Sequence, residues 1–341
     1  MCGIFGLVQN KEENNSSKIF RHLCLLSESR GKEASGFAVK KNNSIKVYKT
    51  PQPARVMVKA EIFRDEILKN TSKKEPFIAI GHSRLVTNGY EQFDINNQPV
   101  VKDGFVVVHN GIIVNQADLW KKYGEDKKIS ELDSELIPTL LSYYIEKGKN
   151  LSNAISELFS EIYGMTNFAL LSSKFSNIIL ATNNGSIYYI IDPDNSFFVF
   201  ASERFFLKML IRKSNINYSD TNIKQLRPGY FLNVNPENFN YFLSKFGDSL
   251  KIFSYKEPVD IVVLKEKEKN KIRNIYVNKS LDHNTYEVPL EFIKVTEERL
   301  TQIQNLKRCK KCILPETFPY ISFDEKGICN YCNNYKKQIL K

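Results

Sequence analysis

Between residues 2 and 235 the chain alternates short, almost unbroken apolar runs with stretches of helical periodicity, and this alternation leaves few architectures open. The strand candidates are Ile4–Val8, Phe37–Lys40, Phe77–Gly81, Phe105–His109, Phe168–Ser172, Ile178–Thr182, Ile187–Ile191 and Phe197–Ala201. Runs with few polar positions suit strands covered on both faces rather than strands with one face in water. Helical periodicity fits Lys18–Ser29, Val56–Lys69, Asp133–Glu146 and Leu151–Ile162, each bounded by polar or glycine punctuation. Groups of strands alternating with pairs of helices predict layered sheets covered by helices.

A chain of 341 residues can bury a full core and has room for more than one domain. Past Asn235 the character changes, and the stretch 263–279 is dense in lysine and glutamate. We expect a first domain over 2–235, a connector with some helix and strand over 236–305, and a cysteine-organised segment over 306–341. The formal net charge of +11 permits weak attraction to phosphates, but the lysines are scattered and no basic patch is interleaved with aromatic residues. No nucleic-acid partner is expected. The sequence turns polar after Val8, which excludes a signal-peptide core, and no apolar run approaches a membrane span. The expected location is the cytoplasm, away from membranes.

The six cysteines are unevenly placed: Cys2, Cys24, then Cys309, Cys312, Cys329 and Cys332. This is no disulfide framework of a small secreted fold. Cys24 lies on the apolar side of a helix candidate and reads as a small buried hydrophobe. The last four form two Cys-x2-Cys pairs, a spacing that fits one tetrahedral four-thiolate zinc site. Two disulfides or free thiols are the alternatives. Some thirty residues cannot build a sufficient core, so metal binding would supply most of their folding energy. With every position filled by thiolate, such a zinc is structural.

Cys2 carries the other chemical signal. Removal of Met1 would leave a thiol and a free α-amine on one residue, a nucleophile with a base within reach. An α-amine titrates near ~7.7–8.0 and a thiol near ~8.5, so an uncharged amine can accept the thiol proton around neutral pH. The plain alternative is an incidental cysteine after a start codon. Four polar segments at strand or helix ends weigh against it: Arg30-Gly31-Lys32-Glu33-Ala34-Ser35-Gly36, Gly81-His82-Ser83-Arg84-Leu85-Val86-Thr87-Asn88-Gly89, Val106-Val107-Val108-His109-Asn110-Gly111 and Ser130-Glu131-Leu132-Asp133-Ser134-Glu135. Singly each is turn chemistry, and an Asn-Gly pair after a strand usually makes a tight turn.

In this order and spacing the segments resemble the class II glutamine amidotransferases of the N-terminal nucleophile hydrolase superfamily, over roughly residues 2–230. The resemblance implies an α+β fold, a four-layer αββα sandwich. It implies that Cys2 attacks the side-chain amide of glutamine, giving a γ-glutamyl thioester and ammonia, then glutamate. Arg30 matches the arginine that helps arrange the N-terminal region. Arg84 matches the one that holds the substrate α-carboxylate, with Thr87 lining the same pocket. Asn110 and Gly111 match the oxyanion hole, and Asp133 the carboxylate that binds the α-ammonium. Where the sugar-phosphate-forming members carry Trp-Ala-Thr-His, this chain has Leu85-Val86-Thr87-Asn88. An N-terminal amine makes a histidine base unnecessary, so His82 and His109 are expected to serve as structural hydrogen-bonding residues.

The segment from Arg308-Cys309-Lys310-Lys311-Cys312 through Ile328-Cys329-Asn330-Tyr331-Cys332 is similar to the start of the N-acetyl sugar amidotransferases, which use ammonia and ATP. Their Ser-Gly-Gly-x-Asp-Ser pyrophosphatase loop does not occur in these 341 residues. The expected partner is an ammonia-accepting synthetase that carries that loop. No organic cofactor is expected. A non-catalytic glutamine-sensing or scaffolding subunit, docking its partner through the zinc ribbon, is the competing reading.

Overall fold

The computed structural model describes residues 2–9, 15–41, 43–69, 76–85, 89–214, 216–248, 258–265 and 305–335. Two compact units divide the chain, 1–266 and 267–341.

In the first unit, apolar runs pair into two sheets. One has eight strands: β1 (Gly3–Gln9), β2 (Ala34–Lys41), β3 (Ser44–Thr50), β4 (Phe77–Arg84), β9 (Tyr188–Asp192), β10 (Phe197–Ala201), β11 (Lys224–Gln225) and β14 (Asp260–Leu264), in the order β11-β9-β10-β1-β4-β2-β3-β14. The other has six: β5 (Val100–Lys102), β6 (Phe105–Ile113), β7 (Gly164–Ser172), β8 (Ile178–Thr182), β12 (Tyr230–Val234) and β13 (Tyr241–Lys245), in the order β13-β12-β8-β7-β6-β5. All eight strand candidates are strands.

Because side chains alternate across a strand, each sheet supplies two buried faces. Ile4, Val8, Ala38, Val47 and Ile80 of the larger sheet pack with Val106, Val108, Ala169, Leu171 and Leu232 of the smaller one, forming the core between the sheets. The opposite face of the larger sheet, with Phe5, Leu7, Phe37 and Ala79, packs on α1 (Ser16–Ser27), α2 (Ala54–Met57), α3 (Glu61–Phe63) and α7 (Arg204–Ser214). That of the smaller sheet, with Phe105, Val107, Phe168 and Leu170, packs on α4 (Gln116–Tyr123), α5 (Leu136–Glu146) and α6 (Leu151–Glu161). Three cores between four layers make the αββα sandwich.

Three differences from the sequence reading have local causes. The helix expected over Val56–Lys69 is broken around Lys59-Ala60 and ends in a π-turn over Arg64–Leu68. The helix expected from Asp133 starts as a 3-10 turn over Asp133–Glu135, because the Asp133 and Glu135 carboxylates are committed to other segments. β13 and β14 fall in the stretch expected to be connector, yet they pair with β12 and β3 and extend the sheets of the first unit. The rest of that connector, from 266 to 304, lies outside the described residues. No described helix is long and apolar enough to cross a membrane.

In the second unit, residues 305–335 form turns, two isolated bridges (Arg308 with Pro315, Phe323 with Cys329) and a short helix, Asn330–Asn333.

Candidate active site and metal centre

β1, β2 and β4 bring their ends together at one end of the sandwich: Gly3 pairs with Ser83 and Ala34 with Arg84. Cys2 immediately precedes β1, and its thiol lies 3.5 Å from the Leu85 carbonyl. Burial pushes the thiol pKa up. Backbone hydrogen bonding at Leu85 and the Arg84 guanidinium pull it down, while Asp133 pushes it up again. A thiol so placed is protonated at neutral pH and needs a base to become a nucleophile. Met1 lies outside the described residues.

The start of β1 is clamped from two sides. The Ile4 N–H donates to Ser202 Oγ at 3.2 Å, and the Ser202 N–H returns a bond to the Ile4 carbonyl at 2.8 Å. The next residue, Glu203, pairs with Arg30 at 2.6 Å. Gly31 is obligatory beside it, since a Cβ there would lie 2.1 Å from the Arg84 carbonyl carbon.

Arg84, the last residue of β4, sits on the face of the strand that Ile78 and Ile80 turn toward the second sheet. Arg84 is 2% exposed, and its guanidinium donates to Asn97 Oδ1 at 2.9 Å and to the Gly89 carbonyl at 2.8 Å. These two bonds fix the plane of the guanidinium fork. Burial lowers the Arg84 pKa, with Cys2, Glu91, Glu33 and Asp133 opposing that shift. Cys2, Arg84 and Asp133 thus lie within electrostatic reach of one another. Thr87 lies outside the described residues.

The Asn110-Gly111 pair does not form a turn. Both residues lie inside β6, opposite Asn167 and Thr166 of β7, because β7 continues as far as Gly164. A Cβ on Gly111 would stand 1.8 Å from the Met165 carbonyl oxygen, so the close strand approach requires glycine. Backbone groups of successive strand residues point to opposite sides. His109, Gly111 and Ile113 therefore present their N–H groups on the edge away from β7. The Gln98 side chain takes that of His109 at 2.6 Å, and Asp133 Oδ2 takes that of Ile113 at 2.8 Å. Between them the Gly111 N–H has no acceptor among the described residues. The Asn110 side chain is 1% exposed, and neither its Oδ1 nor its Nδ2 has a hydrogen-bond partner. Two unspent donors thus lie next to each other in sequence, beside a buried carboxylate.

The two histidines differ. His109 Nδ1 bonds Ser134 Oγ at 2.9 Å, as expected of a structural residue. His82 is fully buried with neither ring nitrogen hydrogen-bonded, and burial, reinforced by Arg84, pushes its pKa down to about 3. It is neutral throughout the physiological range.

Sequence reasoning missed Asn97, Gln98 and Ser202, and it gave Gly89 and Ser134 no role although both lie in the segments it singled out. The Asn96-Asn97-Gln98 run of amides was the one available signal, since amide side chains buried in a row need partners. Lys49 was also missed. It lies two residues beyond Val47 on the face of β3 that Ile45 and Val47 turn into the core between the sheets. Burial lowers its pKa to about 8 against the pull of Asp94.

In the second unit, the sulfurs of Cys309, Cys312, Cys329 and Cys332 all lie within 4.8 Å of one another. The Cys309–Cys332 and Cys312–Cys329 separations are 3.9 and 3.5 Å. A tetrahedral thiolate site with ~2.3 Å metal–sulfur bonds has sulfurs about 3.8 Å apart. The backbone N–H groups of Lys311 and Cys329 donate to Cys309 Sγ at 3.4 and 3.2 Å, as suits a thiolate. The four cysteines can hold a metal ion.

Residues 82–209 match the family model described as a glutamine amidotransferase domain. The glutamine–fructose-6-phosphate aminotransferase of Clostridium acetobutylicum is 34% identical over 205 residues, 58% of this chain and 31% of that protein. The enzyme of the same name from Bacillus thuringiensis is 29% identical over 206 residues, 60% of this chain and 32% of that one. The amidophosphoribosyltransferase of Methanocaldococcus jannaschii is 30% identical over 190 residues, 54% and 38% respectively. The chain thus spans about a third of the length of the curated relatives it matches. Among solved structures, the glutamine phosphoribosylpyrophosphate amidotransferase of B. subtilis superposes with a TM-score of 0.54 at 22% identity, covering 73% of this chain and 50% of that one. That likeness is one of fold, two sheets layered between helices.

Proposed function

Since the chain carries a class II glutamine amidotransferase domain, we propose that it hydrolyses the side-chain amide of glutamine with Cys2 as nucleophile, once Met1 is removed. The observation that carries this reading is the pair of unspent donors, Asn110 Nδ2 and Gly111 N–H, beside buried Cys2, Arg84 and Asp133.

Glutamine enters with its α-carboxylate on Arg84 and its α-ammonium on Asp133. The Cys2 α-amine takes the thiol proton, and the sulfur attacks the amide carbon. Negative charge builds on the amide oxygen, where Asn110 and Gly111 donate; one such donor is worth ~2.7–4 kcal/mol. The carbon–nitrogen bond breaks as the α-ammonium returns its proton to the nitrogen, releasing ammonia and leaving a γ-glutamyl thioester. Water then attacks the thioester, giving glutamate and the free thiol. Arg30 acts at one remove, bracing the first strand through Glu203.

The reading extends to the rest of the chain. Residues 306–341 form a separate zinc-binding segment in which Cys309, Cys312, Cys329 and Cys332 hold a structural zinc that organises the loops around it. The connector over 236–305 joins it to the glutaminase domain, which contributes its last strands from that stretch. The ammonia goes to an ATP-dependent synthetase, a sugar amidotransferase by the similarity of the cysteine segment, in the cytoplasm.

The test is ammonia release from glutamine by the mature chain and by Cys2→Ala. The variant should keep its thermal unfolding profile and lose turnover. Retained turnover rejects Cys2 as the nucleophile, and glutamine binding without hydrolysis in the wild type favours the sensing role.

A further inference from the structure

Three consecutive buried amides, Asn96, Asn97 and Gln98, each reach a different part of the candidate site. Asn97 accepts from Arg84 Nη1 at 2.9 Å through Oδ1, and its Nδ2 donates to the Glu91 carbonyl at 2.6 Å. Asn96 exchanges two bonds with Glu131, side chain to side chain at 2.8 Å and Glu131 N–H to Asn96 Oδ1 at 2.9 Å, two residues before Asp133. Gln98 bonds both backbone groups of His109, the neighbour of Asn110, at 2.6 and 3.2 Å. Its Nε2 also donates to Ser134 Oγ at 3.1 Å, and that hydroxyl donates to Asp133 Oδ1 at 3.3 Å. The amides are 3%, 0% and 5% exposed. Their partners lie 35, 13 and 11 residues away in sequence, on the turn before Asp133, on β4 and on β6.

We propose that Asn96-Asn97-Gln98 is a positioning strap that fixes the distance between the carboxylate-binding and ammonium-binding groups and the oxyanion donors, and so sets the enzyme's preference for a free α-amino acid amide. The inference rests on the roles proposed above for Arg84 and Asp133. Its chemistry is specific to residue. Asn97 orients the Arg84 fork, so it governs recognition of the α-carboxylate. Asn96 holds the turn that opens on Asp133 and governs recognition of the α-ammonium. Gln98 occupies the edge of β6 beyond the end of β5, as a paired strand would, and so holds the Asn110-Gly111 segment in register.

The experiment compares glutamine with two truncated amides: 4-aminobutanamide, which lacks the α-carboxylate, and 4-carbamoylbutanoate, which lacks the ammonium. Asn97→Ala should lower kcat/KM for glutamine on the order of tenfold to a hundredfold, mainly through KM, as misplacement of a binding group does. It should leave kcat/KM for 4-aminobutanamide within about twofold of wild type, because that substrate never uses Arg84. Asn96→Ala should show the same pattern with 4-carbamoylbutanoate. Gln98→Ala should instead lower kcat for all three amides alike. Asn97→Asp keeps the acceptor for Arg84 and should recover most of the glutamine preference, which a purely structural role for the residue would not produce. Should a truncated amide turn over too slowly to follow, competitive inhibition by glutamate against 4-aminobutanoate gives the same comparison for Asn97. Equal losses on all substrates in Asn97→Ala, or loss of thermal stability with KM unchanged, overturns the strap while leaving the nucleophile untouched. Turnover surviving in Cys2→Ala rejects the nucleophile instead.

Discussion

Asn110→Ala separates catalysis from stability more sharply than any other substitution in the site. Most buried polar side chains support the fold through their hydrogen bonds, and their loss destabilises it. The Asn110 side chain makes none: its Oδ1 and Nδ2 are buried and unpartnered, and its link to β7 runs from Asn167 Nδ2 to the backbone carbonyl, which alanine retains. Holding an unsatisfied buried amide costs about 1–3 kcal/mol, which the substitution removes. The packing lost with the three side-chain atoms opposes that gain, so the net change in stability should stay within about 1 kcal/mol. Turnover should behave otherwise. If Nδ2 donates to the developing oxyanion, its loss raises the barrier by ~2.7–4 kcal/mol, roughly a hundred- to a thousandfold in kcat, with little change in KM. Urea unfolding and steady-state ammonia release on the same preparation give both numbers. A loss of stability above about 2 kcal/mol, or turnover near wild type, would refute the reasoning, because the side chain would then be serving the fold and not the transition state.

Other perturbations follow from the same geometry. Gly111→Ala drives a Cβ to 1.8 Å from the Met165 carbonyl oxygen, a backbone atom fixed by the β6–β7 ladder. It should destabilise by at least about 3 kcal/mol in a denaturant titration, and wild-type stability would show that the strands approach less closely than described. Lys49, with its pKa lowered to about 8 by burial, makes the protein's stability pH-dependent. Between pH 8 and the ordinary lysine value the unfolded chain binds the proton and the folded one does not, so its contribution rises with pH across that window. Below pH 8 both states are protonated and the folded one bears the full burial penalty. Lys49→Met should therefore stabilise at pH 7 by up to about 3 kcal/mol, with the gain shrinking as pH rises through 8 to 10; a pH-independent difference contradicts it. In the second unit, purified protein should hold one zinc per chain by elemental analysis, and Cys309→Ser should lose it and render residues 305–335 sensitive to protease. Zinc retained in full by that variant would remove Cys309 from the ligand set.

The parts legible in the sequence were those whose cause is local. Continuous apolar runs such as Ile178–Thr182 and Phe197–Ala201 read as strands because each is buried on both faces, and both have the bounds expected. The short thiol spacing brought Cys309, Cys312, Cys329 and Cys332 together within a few ångströms. What stayed hidden depends on partners distant in the chain. Asn110-Gly111 has local turn chemistry, but pairing with Asn167 and Thr166, more than fifty residues on, keeps it in a strand. β3 was missed because its lysines interrupt the apolar pattern, although Ile45 and Val47 face the core. The helix Arg204–Ser214 buries Phe206, Leu207 and Leu210 at helical spacing, a signal that was present and unread. Arg84 was found through its motif. Asn97, which holds it, has no motif; only the fold puts it 2.9 Å away.

The central claim is that sulfur at residue 2 forms a covalent intermediate with the substrate's acyl group. Acid quenching during turnover with glutamine, followed by mass spectrometry of the N-terminal peptide, tests it most directly. The account predicts a peptide that begins at Cys2 and carries a γ-glutamyl thioester on that residue, absent when glutamine is omitted. Ammonia release from a chain that retains Met1, or with the acyl group attached to a different residue, would contradict it.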